Sequence, residues 1–160
     1  MDPTNANQPQ KVGLIAGWGG FPIHVAKALK EQGHQVFCLG VYGHADPILD
    51  DLCHEFQWTG MAKMGSQARF FRKRGVQVAT LAGKIFKTKI FERFALLRHF
   101  PDFAFWKYFY PVFVTRTKDR KDDTLLLTVT QLFASYGVTM TPATDLPQSC
   151  LSRKARSLAV

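Results

Sequence analysis

The chain has no apolar run long enough to span a bilayer, no internal repeat, and no basic-then-apolar start of the kind that marks a signal peptide. Residues 1–10 (MDPTNANQPQ) are polar and read as a flexible arm on a cytoplasmic protein. Cysteine is scarce: Cys38, Cys53 and Cys150 are odd in number and lack metal-ligand or redox spacing, which excludes a disulfide framework. Cys38 sits in an apolar run and reads as core. Acidic residues are also few, 12 against 21 Lys and Arg, and the net charge of +9 calls for an acidic partner. Nucleic acid, an anionic lipid headgroup and a nucleotide phosphate all qualify. The 46% hydrophobic content excludes a disordered chain, and 160 residues suit one domain with a sizeable core.

What is present is organised around Lys11-Val-Gly-Leu-Ile-Ala-Gly-Trp-Gly-Gly-Phe-Pro22. Val12 to Ala16 suit a strand buried on both faces. Gly17, Gly19 and Gly20 allow a sharp turn, and Pro22 fits a first helical turn. Strand, glycine turn and helix start make an anion cradle, in which free N–H groups and a positive helix end face one point. A phosphate or pyrophosphate is its natural occupant; a tight turn with no ligand is the plain alternative. His24, at the helix start, could reach such a phosphate or simply be solvated.

Phe21 to Gln32 reads as a helix stopped by Gly33, and Gln35 to Val41 as a second buried strand. Pro47 and Ile48 open a short helical turn. His44, Asp46, Asp50 and Asp51 resemble metal ligands in type, but acids near a helix start are expected from the dipole alone. His54 to Thr59 alternates as a third strand. A helix from Gly65-Ser66 to Arg74 and a strand from Gln77 to Ala82 follow. The order predicts an α/β fold: an open, mostly parallel sheet with helices on both faces, Rossmann-like. The first and fourth strands both end in Ala-Gly, so Gly17 and Gly83 are expected to flank one crevice, with Lys84 able to neutralise an anion there. The dinucleotide fingerprint is incomplete: Pro22 stands where its last small residue belongs, and no acid follows Gly40-Val41-Tyr42. Both departures weigh against NAD.

Residues 84–121 hold ten Lys or Arg against three acids, and Phe100 to Phe113 contains eight aromatics. Such a stretch suits acyl chains or a membrane interface. It also suits base stacking, or helices packed on the sheet. No nucleic-acid-binding motif is present, so a nucleic-acid partner is not expected. Thr124 to Tyr136 carries a helical stripe, with Asp122 or Asp123 as its cap and the other free for a ligand or metal. Val138 to Thr141 make a last strand.

These residues carry a resemblance. Gly13-Leu-Ile-Ala-Gly-Trp-Gly-Gly-Phe-Pro22 resembles the opening of the LpxI-type UDP-2,3-diacylglucosamine pyrophosphatases. Ala82-Gly83-Lys84-Ile85 is similar to that family's second glycine turn, and Lys121-Asp122-Asp123-Thr-Leu-Leu126 to its D-D-x-L-L element. The agreement in order spans residues 11–147. It implies a cytoplasmic, peripheral hydrolase of lipid A biosynthesis. Such an enzyme works at the inner-membrane surface and splits UDP-2,3-diacylglucosamine into UMP and 2,3-diacylglucosamine 1-phosphate with a divalent metal such as Mg²⁺. Gly17, Trp18, Gly19, Gly20, Phe21, Gly83, Lys84, Asp122 and Asp123 are the expected substrate-binding residues; none is assigned as catalytic or as a metal ligand. Family members carry a second domain with key carboxylates, and Trp18 replaces a small polar residue. The expectation is therefore a truncated chain, with residues 148–160 as a tail, inactive alone or serving as a nucleotide-sugar binding module. Homo-oligomerisation is left open.

Overall fold

The computed structural model describes residues 9–84, 101–114 and 122–143. In chain order these form β1 (Lys11–Ala16), α1 (Phe21–Glu31), β2 (Gln35–Val41), α2 (Leu49–Leu52), β3 (Glu55–Thr59), α3 (Met64–Lys73), β4 (Val78–Ala82), α4 (Phe103–Val114), α5 (Asp122–Ser135) and β5 (Thr139–Pro142). All five strands pair in parallel, in the order β3-β2-β1-β4-β5. The expected α/β, Rossmann-like architecture is what the chain adopts. β1 lies at the centre, and the chain leaves it toward β2 on one side while β4 flanks it on the other. That makes the C-terminal ends of β1 and β4 the switch point of the sheet.

Strand alternation sends side chains to two cores. Val12, Leu14, Val36 and Cys38 meet Val25, Ala26 and Leu29 of α1 on one face. Ile15, Phe37, Leu39 and Ala79 meet Phe71 of α3 and Leu132 and Phe133 of α5 on the other. Each fully buried Val, Leu or Phe contributes roughly 1.5–3 kcal/mol, so neither face is dispensable. Cys38 is core, as its setting implies. Its thiol meets that of Cys53, and this contact, reinforced by burial, pushes Cys38 up from the ordinary thiol value. Cys150 lies outside the described residues.

Two features fix the helices on the second face. A Cβ on Gly65 would meet Ala104 Cβ at 2.5 Å, so α3 and α4 touch where α3 has no side chain. Asp102 then ties both helix starts together. Its Oδ1 accepts from the Phe105 amide at 2.9 Å and its Oδ2 from the Ser66 amide at 2.8 Å. One carboxylate thus satisfies orphan amides of two helices.

Arg74, closing α3, donates to both oxygens of Glu55 on β3 and lies 3.6 Å from the Phe70 ring centroid. The guanidinium hydrogen bonds hold the Glu55 carboxyl below its ordinary value. The lower value belongs to the folded state, so the pair's contribution is complete above the unfolded carboxylate's range. It fades as pH falls through the lowered value. Both side chains are partly exposed, which limits the effect to about 1 kcal/mol or less. Glu55→Gln is expected to lower the urea midpoint slightly at pH 7, and the gap should close on acidification. A gap independent of pH would contradict the assignment.

The cap expectation at α5 needs correction. The helix begins at Asp122, so Asp122 and Asp123 both lie in its first turn and neither is the residue before it. Acids there suit the positive end of the dipole. The side chains of both lie outside the described part.

Candidate functional site

The turn after β1 and the turn after β4 are joined directly. The Trp18 amide donates to the Lys84 carbonyl at 2.7 Å, and the Lys84 amide donates back to the Trp18 carbonyl at 2.9 Å. The Gly17 amide donates to the Ala82 carbonyl at 2.8 Å. This close approach explains two of the glycines without any ligand. A Cβ on Gly17 would lie 2.7 Å from the Lys84 carbonyl oxygen. Gly83 holds φ at +95°, and a Cβ there would lie 2.9 Å from the Gly17 carbonyl carbon, the Trp18 oxygen and Pro22 Cγ. The two turns thus meet at the sheet edge as their sequence setting implies, but in direct contact: Gly83 lines the neighbouring cleft and Gly17 does not.

The same bonds correct the expected donor set. The amides of Gly17 and Trp18 are committed to β4 and its turn and do not face an anion. Available donors begin one residue later. Among the described residues no hydrogen bond uses the amides of Gly19, Gly20, Phe21 or Ile23. Helix α1 has no side-chain cap, and Pro22 supplies no N–H in its first turn. Four uncommitted amides at the positive end of an 11-residue helix are suited to a negative ligand.

Gly19, Gly20 and Phe21 border a cleft of about 580 Å³. Trp18, Phe21, His24, Lys84 and Pro142 form its walls, with Gly19, Gly20 and Gly83 between them. The Trp18 indole is 50% exposed, so it walls the cleft and does not seal it. Gly19 has φ +107° and open space where a Cβ would stand. Gly20 is helical, and a Cβ there would have only His24 Nε2 as a neighbour, at 4.0 Å. His24 is the wall residue whose place sequence reasoning left undecided. Its position one turn into α1, facing the glycines, was the available signal.

Charge in the cleft has one sign. Lys84 is exposed, and among the described residues the walls carry no carboxylate. Such walls do not fit a divalent cation, which takes several oxygen ligands. Two of the other candidates for metal binding, His44 and Asp46, are engaged locally. His44 is buried with Nδ1 3.0 Å from the Tyr42 carbonyl, Asp46 accepts from the Ile48 amide, and Asp50 and Asp51 lie in the first turn of α2. Among the described residues no three His, Cys, Asp or Glu side chains group as a metal site.

Behind Leu81 and Pro142, which border both spaces, lies an apolar hollow of about 370 Å³. Ile15, Val41, Met61, Met64 and Met140 line it. Methionine walls adapt readily to a flexible apolar occupant.

Fold and cleft together define a doubly wound α/β domain with a glycine-rich turn bordering a cleft at its switch point. A family model described as the LpxI N-terminal domain matches residues 11–150, and the chain belongs to that family, which is tied to lipid A biosynthesis. No curated protein matches the chain. Among the described residues no helix is long and apolar enough to cross a membrane.

Proposed function

We propose that this chain binds the diphosphate of a nucleotide sugar, UDP-2,3-diacylglucosamine, for a pyrophosphatase that yields UMP and 2,3-diacylglucosamine 1-phosphate at the inner-membrane surface. The observation that carries the reading is the set of uncommitted amides at Gly19, Gly20, Phe21 and Ile23, at the sheet's switch point and beside Lys84. In this reading the amides hold one phosphate and the Lys84 ammonium offsets the charge of the other. Trp18 offers a ring face for the ligand to stack on, and the apolar hollow beyond Leu81 suits an acyl chain.

The divalent metal that the resemblance implies is not supported by the described walls, and no step is routed through one. A binding module without turnover is accordingly the second reading, favoured by the absence of a carboxylate from the described cleft. UMP release from UDP-2,3-diacylglucosamine in the presence of Mg²⁺ separates the two. Residues 1–160 alone are expected to bind the nucleotide sugar and release little UMP. Sustained turnover would show that the reacting groups lie within this chain and would overturn the second reading.

A further inference from the structure

Helix α4 is apolar nearly all round, and its described side chains are covered on one side and exposed on the other. Ala104 is buried and Tyr108 packs against the second core, between α3 and α5. At 3.6 residues per turn, Phe103, Trp106, Lys107 and Tyr110 share an arc of about 100° on the opposite side. Phe103 is 85% exposed, Trp106 50% and Tyr110 58%. A solvated helix face normally carries polar residues, so three aromatics there indicate a surface that is covered in use. Asp102 and the contact at Gly65 fix which side of α4 faces outward.

We infer that this face of α4 docks on an anionic lipid surface, lying at headgroup depth. Trp and Tyr have an apolar body and a polar edge, the combination that settles at membrane–water boundaries. Lys107 lies within the arc, whereas the centre of a protein–protein interface is depleted of lysine. Besides Lys107, residues 84–121 carry nine Lys or Arg against three acids, and Asp102, one of those acids, is engaged in capping. A second copy of this chain fits less well, because each copy brings a net charge of +9 to the contact. The inference deepens the membrane-surface part of the proposed function and needs no occupant in the cleft.

Co-sedimentation with vesicles tests it. The chain is expected to pellet with vesicles containing phosphatidylglycerol, and about tenfold more weakly with phosphatidylcholine alone. The triple variant Phe103→Ser, Trp106→Ser, Tyr110→Ser should lose about tenfold or more in partition to the anionic vesicles. Its melting midpoint should not fall, since these side chains are outside the core. Lys107→Glu should weaken binding to anionic vesicles only, with the difference vanishing at high salt. Unchanged pelleting of the triple variant, or no pelleting of the parent chain, overturns the inference. So does a dimer that the triple variant breaks in sedimentation velocity while vesicle binding stays the same. A UDP titration keeps the two proposals apart. No vesicle binding by the parent chain with UDP binding intact faults the helix face alone, and vesicle binding without UDP binding faults the nucleotide-sugar reading alone.

Discussion

Gly83→Val is expected to destabilise the domain by about 3 kcal/mol or more and to open the cleft. Two costs combine. The positive φ at Gly83 puts a branched side chain in a region that costs roughly 1–2 kcal/mol. The new Cβ would also stand 2.9 Å from two backbone atoms of the first turn and from Pro22 Cγ. Backbone cannot rotate aside as a long side chain can, so overpacking adds about 1–3 kcal/mol. For a chain of this size the melting midpoint should fall by about 10 °C. The clash would push the Lys84 turn away from Trp18 and break the paired hydrogen bonds between them. Gly137→Asn is the control. Gly137 also has positive φ, +79°, but nothing lies within 4 Å of its would-be Cβ. It should cost less than about 1 kcal/mol, because Asn tolerates that conformation. Equal losses in the two variants would mean that the approach of the two turns contributes nothing.

The second large effect separates binding from folding. Gly20→Asp places a carboxylate at the N-cap of α1, where no side-chain cap exists and where the backbone is already helical, with φ −75° and ψ −16°. Space for it is open. With a helical backbone at this position the carboxylate complements the dipole without acting as a side-chain cap, and Asp removes the entropic cost of a glycine, so stability should stay level or rise by a few tenths of a kcal/mol. The same carboxylate occupies the anion's place and faces its charge. Like-charge juxtaposition costs several kcal/mol, so affinity for a nucleoside diphosphate should fall about 100-fold or more. A variant that simply misfolded would lose both stability and binding. Here the two readouts are expected to part.

Much of the fold was legible because glycines punctuate buried runs. The strand expected over Gln35 to Val41 has those bounds in the structure, and Val12 to Ala16 gains only Lys11. The meeting of the turns at Gly17 and Gly83 followed from the shared Ala-Gly endings, since parallel strands finish at one edge. Helix α4 was harder to read. Its aromatics occupy both the packed and the exposed sides, so no 3.6-residue period stands out, and Pro111 ordinarily signals a helix end. The donor set starts two residues later than expected, at Gly19 instead of Gly17, for a different reason. Which amides a glycine turn leaves free depends on what the turn touches, and the partner of Trp18 is a backbone distant in sequence, at Lys84. The glycine spacing cannot reveal that pairing. Asp122 and Asp123 were read as cap candidates by residue type, whereas the helix starts one residue earlier than the cap reading needs.

The most direct measurement is a calorimetric titration of UDP against uridine, with inorganic pyrophosphate as competitor. If the amides from Gly19 to Ile23 grip a diphosphate, UDP should bind at a single site and pyrophosphate should displace it. Uridine should then bind at least about tenfold more weakly. Equal affinity for UDP and uridine, or no heat from UDP, would contradict the claim that the glycine turn is an anion site.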